Sequence, residues 1–151
     1  MSVHEQIKED LKEAMKQKDK TRRQVLRDIL SAFTNHQVEE GEQPDERLGD
    51  EEAIAVINKL AKQRKDSIKQ FKEGGRDDLV SQEKEELEIL EEYLPEQLDD
   101  EQIRTIVEEK METLDINDPS EFGKLMGTVM EEVGAQADGD TVKEIVQDTL
   151  Q

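Results

Sequence analysis

The stretch K-L-A-K-Q-R-K-D-S-I-K-Q-F-K-E-G-G-R, from Lys59 to Arg76, combines a helical period with a charge opposite to that of the whole chain. It holds seven basic and two acidic residues, whereas the 151-residue chain has a formal net charge of −19. At about 100° per residue, five of its cations fall within roughly 80° on one helix face. This cationic stripe consists of Lys62, Lys65, Lys69, Lys72 and Arg76. The stretch therefore predicts an amphipathic helix that can contact a phosphate backbone, or a solvated basic face.

Arg64 belongs to a different face of the same helix, among the apolar residues Ile57, Leu60, Ile68 and Phe71. An arginine on an apolar face usually extends its charged end to solvent or pairs with a buried carboxylate. We expect a structural ion pair at Arg64, and the alternative is a guanidinium that lines a cleft.

Apolar residues at helical spacing recur along the whole chain, which predicts an all-α fold. We expect an N-terminal helical domain of about four helices over residues 1–94 and a small three-helix domain over residues 95–151. The boundary lies at Pro95, because proline cannot continue a helix. Gly74 and Gly75 are expected to end the central helix. The candidate helix caps are Ser2, Thr21, Asp50, Asp77 or Asp78, Asp99 or Asp100, and Asp118.

Composition excludes several kinds of chemistry. The chain has no cysteine, so disulfides, thiolate zinc sites and cysteine nucleophiles are absent. Its two histidines, His4 and His36, are too few for a closed histidine metal site, and we expect neither a metal nor a cofactor. With no long apolar run and no signal-peptide pattern, we expect a cytoplasmic protein without a membrane segment.

The charge is unevenly distributed between the two predicted domains. Residues 95–151 carry a net charge of −12, and residues 1–94 carry −7. Such asymmetry indicates two units with different surfaces. A second basic cluster lies near the N-terminus, interleaved with acids, at Lys8, Lys12, Lys16, Lys18, Lys20, Arg22, Arg23 and Arg27.

Several of these segments resemble a known family. K-Q-R-K-D-S-I-K-Q-F (62–71), G-R-D-D-L (75–79) and Y-L-P-E-Q-L (93–98) look like the signature of the YqeY family, and L-R-D-I-L-S-A (26–32) resembles its second helix. The resemblance covers nearly the whole chain. It implies an all-helical protein with a larger N-terminal domain and a three-helix C-terminal domain.

The segment F-G-K-L-M-G-T-V-M (122–130) is similar to the tail domain of the GatB subunit of tRNA-dependent Asp/Glu amidotransferases. That resemblance implies an association with tRNA and a family label of carbon–nitrogen ligase activity with glutamine as amido donor. The tail domain typically carries a Lys-Gly pair before its Gln-Ala-Asn/Asp turn. Here Gln136-Ala137-Asp138 follow Gly134-Ala135, so the expected cation is missing.

Three hypotheses follow. In the first, the protein is a non-catalytic accessory module whose cationic stripe contacts tRNA. In the second, it is an acidic adaptor whose C-terminal domain binds a protein partner without RNA contact. In the third, an enzyme site lies around Arg64 and nearby carboxylates, although the chain has no nucleophile-elbow motif.

Overall fold

The computed structural model describes residues 1–43 and 48–151. Within these residues the structure contains helices and no strand, which confirms the predicted all-α class. The α-helices are α1 (Val3–Lys16), α2 (Lys20–Glu39), α3 (Asp50–Glu73), α4 (Asp77–Glu91), α5 (Asp100–Leu114), α6 (Phe122–Val133) and α7 (Gly139–Leu150). Two short 3-10 helices, Pro119–Glu121 and Gly134–Gln136, flank α6.

The chain forms two compact units, Met1–Leu94 and Pro95–Gln151. The first unit contains α1 to α4 around an aliphatic core to which Phe33 contributes the one fully buried aromatic ring among the described residues. Leu48, which precedes α3, is 2% exposed and fills this core from outside any helix. The other buried core residues are Ile7, Ala14, Val25, Leu26, Ile29, Ala53, Ile57, Ala61, Ile89 and Leu90.

Helix starts in the first unit follow the predicted rules only in part. Ser2 and Glu5 form the expected capping box at the start of α1. The cap of α2 is Asp19, whose carboxylate accepts from the backbone N–H of Arg22, so the prediction of Thr21 was wrong.

Asp50 is also misassigned as a cap, because Gly49 precedes α3 and contributes no side-chain cap. The Asp50 carboxylate instead accepts a hydrogen bond of 2.9 Å from the backbone N–H of Val3. That donor lies in the first turn of α1, where an α-helix leaves N–H groups without a backbone partner. Asp50 therefore joins the starts of two helices that are 47 residues apart in sequence.

The turn between α3 and α4 places these two helices side by side. Gly74 ends α3, as expected, and Gly75 has a φ of +70°, a conformation that glycine adopts without the side-chain clash of other residues. Arg76 precedes α4 without a side-chain cap, so neither Asp77 nor Asp78 caps this helix. The short connection makes α3 and α4 an antiparallel hairpin.

The second unit packs α5, α6 and α7 around its own core of branched aliphatic side chains. Asp99 and Gln102 form a capping box on α5, and Asp118 caps the 3-10 turn before α6. Gly123 and Gly127 are exposed, and nothing lies within 4 Å of a Cβ built on either one. Small residues four apart allow two helices to approach closely, but no such approach occurs at these positions within the described residues.

Candidate nucleic-acid interface

The structure places four of the five stripe cations on α3. Lys69 and Lys72 are exposed, and within residues 1–43 and 48–151 neither makes an ion pair. Lys62 and Lys65 are half-buried and interact with other groups of the protein. The solvent-facing charge of the stripe therefore lies mainly in its C-terminal half.

Arg76 is not part of α3, because that helix ends at Glu73. It stands at the start of α4, with its Nη2 atom 3.3 Å from the Oδ2 atom of Asp78. This arginine lowers the pKa of the Asp78 carboxyl. Both side chains are more than half exposed, so the pair is weak and a phosphate can compete for the guanidinium.

Arg64 lies where α2, α3 and α4 meet, and three carboxylates surround it. Its Nε atom is 3.1 Å from Glu86 and 3.6 Å from Glu83, and its Nη2 atom is 3.4 Å from Asp28. The arginine side chain is 19% exposed. We name these four residues the Arg64 cluster. It brings together groups from three helices, and its formal charge is negative.

The Arg64 cluster is crowded with negative charge. Burial raises the pKa of Glu83, the neighbouring Glu86 raises it further, and Arg64 opposes both effects. The Nε atom of Arg64 is buried and makes no well-directed hydrogen bond to any described residue, in spite of its short distance to Glu86. The guanidinium therefore acts as a shared counter-charge for three carboxylates.

The second basic cluster from the sequence is largely solvated. Lys8, Lys16 and Lys20 are exposed, and Lys12 makes only an exposed ion pair of 3.4 Å with Glu9. Exposed pairs of this kind contribute little to stability. These cations add positive charge to the surface of the first unit.

Sequence reasoning missed a polar cleft of about 460 Å³ in the first unit. Its walls come from α1, the start of α2 and the residues around the end of α4. The lining residues are Gln6, Asp10, Glu13, Ala14, Gln17, Asp19, Arg22, Glu92 and Tyr93. No sequence pattern indicated this cleft, because its lining residues come from segments that are far apart along the chain.

Two interactions fix the cleft wall. The Tyr93 hydroxyl donates a hydrogen bond of 2.5 Å to Asp10, and burial together with this bond raises the pKa of Tyr93. Arg22 donates to both carboxylate oxygens of Glu92, at 2.6 and 3.3 Å, which raises the pKa of the guanidinium. Bidentate arginine–carboxylate pairs are among the stronger and more directional polar contacts. The Arg22–Glu92 pair therefore joins α2 to the end of α4, and the Tyr93–Asp10 hydrogen bond joins α1 to it.

Within the described part of the chain, neither histidine belongs to a group of side chains that could hold a metal ion. His4 is 6% exposed, its Nδ1 atom accepts from the backbone N–H of Leu48 at 3.0 Å, and its ring packs edge-on against Phe33. The Nε2 atom of His36 lies 3.8 Å from the Oε2 atom of Glu52 on α3. Across residues 1–43 and 48–151, no group of three or more histidine and carboxylate side chains could hold a metal ion.

In the second unit, the end of the Y-L-P-E-Q-L segment is hydrogen-bonded to the residues around the Gln136-Ala137-Asp138 turn. The backbone N–H of Leu98 donates to the carbonyl of Gln136 at 2.8 Å, and the Gln97 side chain donates to the carbonyl of Ala135 at 3.0 Å. Asp138 caps α7 through its carboxylate. The Gln136-Ala137-Asp138 turn therefore holds the chain as it enters this unit, which is a structural role.

Comparison with known proteins gives a match over almost the whole sequence. The sequence model of a family described as "Yqey-like protein" matches residues 4–150. Curated relatives carry the name "Altered inheritance of mitochondria protein 41, mitochondrial". The relative from Candida glabrata is 34% identical over 91 residues, which are 60% of this chain and 48% of the relative. The relative from Kluyveromyces lactis is 35% identical over 87 residues, which are 58% of this chain and 45% of the relative.

These relatives correct the predicted location. A cytoplasmic location was expected from the sequence, but the relatives are named as mitochondrial proteins, so that expectation is wrong. The aligned parts span less than half the length of these curated relatives. Among the described helices, none has both the length and the apolar character needed to cross a bilayer.

Proposed function

The chain belongs to the YqeY family, and on that premise we propose that it is a non-catalytic accessory protein that contacts tRNA through its phosphate backbone. The observation that carries the proposal is the run of cations on α3, with Lys69 and Lys72 exposed and without an ion pair in the described part of the chain. Ammonium groups about one helical turn apart can follow a polyanion.

The resemblance of residues 122–130 to the tail domain of a tRNA-dependent amidotransferase subunit is the reason for proposing tRNA as the ligand. The contact itself is assigned to the first unit, because residues 95–151 carry a net charge of −12 and lack the expected lysine before Gln136. Repulsion from that acidic surface makes the affinity modest and strongly dependent on salt.

The test is binding of total tRNA to the full-length protein at low and at physiological salt. We expect binding at low salt, a steep loss with added salt, and little preference among sequences. The double variant Lys69→Glu/Lys72→Glu removes two phosphate contacts. It should weaken binding about 60-fold near 0.1 M salt, since each contact contributes about eightfold there, and it should reduce the salt slope by about 2.

A matched control reverses the same number of charges elsewhere. Lys59 on α3 and Lys84 on α4 are also exposed, and Lys59 lies about 80° or more around α3 from Lys69 and Lys72. The variant Lys59→Glu/Lys84→Glu should lose only a few-fold through general electrostatics. Equal losses in the two double variants, or no binding to tRNA at low salt, would exclude the stripe as the contact surface.

The acidic second unit favours one alternative function, docking of a basic protein partner. Lys110 of this unit already pairs with Glu132, at 3.8 Å, which leaves three other basic residues among sixteen acids. Charge complementarity of this kind mainly accelerates and orients association. A pull-down with the full-length protein and with a variant neutralised at exposed Glu108 and Glu112 tests it, and unchanged partner recovery would exclude this surface.

A further inference from the structure

We infer that the RNA element held by the cationic stripe is double-helical, contacted along its backbone, and that unstructured single strands are a poor ligand. The inference rests on the proposed RNA contact and adds the structural class of the ligand. It comes from three features of the first unit: the rigidity of α3, the placement of the aromatic rings, and the engagement of Arg64.

The stripe is a fixed array. Its four lysines lie on α3, a continuous helix of 24 residues that packs against α4 and α2. From Lys62 to Lys72 the lysines span about 15 Å, with about one turn between neighbours. A rigid row of charges matches a backbone whose phosphates are already ordered, whereas a flexible strand must lose conformational entropy to follow it.

Single-stranded RNA is usually held by aromatic rings on which its bases stack. Among the described residues of the first unit, no phenylalanine or tyrosine ring is exposed beside the stripe. Phe33 is 1% exposed, and Tyr93 lines the cleft with its hydroxyl bound to Asp10. Phe71 is half-buried and lies about 140° around α3 from the lysines. The surface therefore offers charge without a stacking platform.

An arginine plane can replace an aromatic ring in base stacking, so the arginines near the stripe matter. The guanidinium of Arg64 is held between carboxylates of α2 and α4 and its side chain is 19% exposed. Arg76 is exposed, but it stands at the end of the stripe beside Asp78 and offers at most one plane. A run of stacked bases has no support here.

Duplex RNA presents a ligand that needs no stacking. Double-stranded RNA is recognised mainly by its shape, with contacts to phosphates and 2′-hydroxyls across a wide, shallow minor groove. Acidic side chains at Asp66 and Glu73 stand beside the lysines on the exposed part of α3. Their negative charges limit the surface that attracts phosphates to a narrow strip along the lysines. Such a strip can follow one phosphate backbone of a duplex.

The experiment compares two RNAs with the same number of phosphates, using full-length protein at low salt and fluorescence anisotropy. One is a hairpin with a stem of about 16 base pairs, the length that a duplex-binding domain spans, and the other is an oligouridylate. We expect the hairpin to bind at least about tenfold more tightly than the oligouridylate, because the surface offers the single strand none of the stacking contacts that usually hold it. Lys69→Glu/Lys72→Glu should weaken hairpin binding far more than Lys59→Glu/Lys84→Glu.

The outcomes separate the two proposals. Tighter hairpin binding that depends on Lys69 and Lys72 supports the inference. Equal or tighter binding of oligouridylate overturns the duplex inference and leaves the proposed RNA contact standing. If neither RNA binds, both the proposed RNA contact and the preference for duplex RNA are overturned, because the preference depends on the contact.

Discussion

At the scale of single residues, Arg64 is the side chain whose removal should lower the free energy of unfolding most. Its guanidinium is the counter-charge shared by Asp28, Glu83 and Glu86, which come from two other helices. Removing one member of a buried ion pair leaves an uncompensated buried charge. The free-energy cost of that charge is larger than the net stabilisation that the intact pair provides. The cluster is therefore better described as a point of charge balance than as a source of stability.

We predict that Arg64→Ala lowers the free energy of unfolding by about 2–3 kcal/mol. The value lies below that of a fully buried pair because the carboxylates keep some contact with water. Denaturant unfolding measures it, with Lys59→Ala, an exposed substitution on the same helix, as control. Adding Glu83→Gln should restore part of the loss, and a destabilisation no larger than that of Lys59→Ala would contradict the prediction.

Tyr93 gives a second prediction at this scale. It is the single tyrosine of the chain, so the ultraviolet absorbance of tyrosinate reports on this residue alone. Burial and the hydrogen bond to Asp10 raise its pKa above the ordinary value of 10.0. We expect it to titrate at distinctly higher pH in the folded protein than in denaturant.

The sign for stability follows from the raised pKa. The stabilisation linked to neutral Tyr93 is complete below pH 10, the unfolded pKa, and is lost as pH rises towards the folded pKa. Tyr93→Phe should cost about 1–2 kcal/mol at neutral pH, and the difference from the wild type should shrink above pH 10. Identical titrations of folded and unfolded protein would show that the hydroxyl is free in solution.

At the scale of helices, the exposed glycines of α6 give an unusual expectation. Gly127 lies inside the helix, with nothing within 4 Å of a built Cβ. Alanine has the higher helix propensity by up to about 1 kcal/mol, so Gly127→Ala should raise the thermal midpoint by a few degrees.

The contrast is Gly75→Ala in the turn after α3. The φ of Gly75 is +70°, so this substitution should lower the thermal midpoint although space is available for the methyl group. Thermal unfolding of both variants checks the pair. A loss of stability in Gly127→Ala would mean that this face of α6 is covered in solution.

Helix positions were predictable because their signals are local. The Ser2–Glu5 capping box lies within one helical turn and occurs as expected, and Asp99, one of the two cap candidates for α5, caps that helix. Asp50 was misread because its partner is the N–H of Val3, 47 residues away. A sequence pattern carries no information about a donor on another helix.

The same limit applies to the candidate site. The periodicity of α3 placed Arg64 on a different helix face from the lysines, but it could not name Asp28, Glu83 and Glu86 as the neighbours. Tyr93 and its acceptor Asp10 are 83 residues apart, so the cleft had no sequence signature. Contacts between helices decide which charged groups are engaged.

At the scale of the whole molecule, the net charge of −19 should make stability and RNA binding respond to salt in opposite directions. Repulsion among acids destabilises the compact state, and salt shortens the Debye length from about 30 Å at 0.01 M to about 8 Å at 0.15 M. We predict a higher thermal midpoint and weaker tRNA binding at the higher salt.

A variant with fewer acids serves as the control for this effect. Glu108→Gln/Glu112→Gln removes two exposed charges from α5 and should reduce the response of the thermal midpoint to salt. Its midpoint at low salt should be at or above that of the wild type. A thermal midpoint that falls with salt in the wild type would show that attractive ion pairs outweigh repulsion among the acids.

The bond between Leu98 and Gln136 has a consequence for hydrogen exchange. The Leu98 amide lies outside any helix, yet its hydrogen is held by the Gln136 carbonyl at 2.8 Å. Amide hydrogens in open loops exchange with deuterium oxide quickly. The Leu98 amide hydrogen can exchange only after its hydrogen bond to the Gln136 carbonyl has opened. Its protection therefore measures how often the second unit opens. Gln97→Ala, which removes the neighbouring side-chain bond to Ala135, should make that exchange faster.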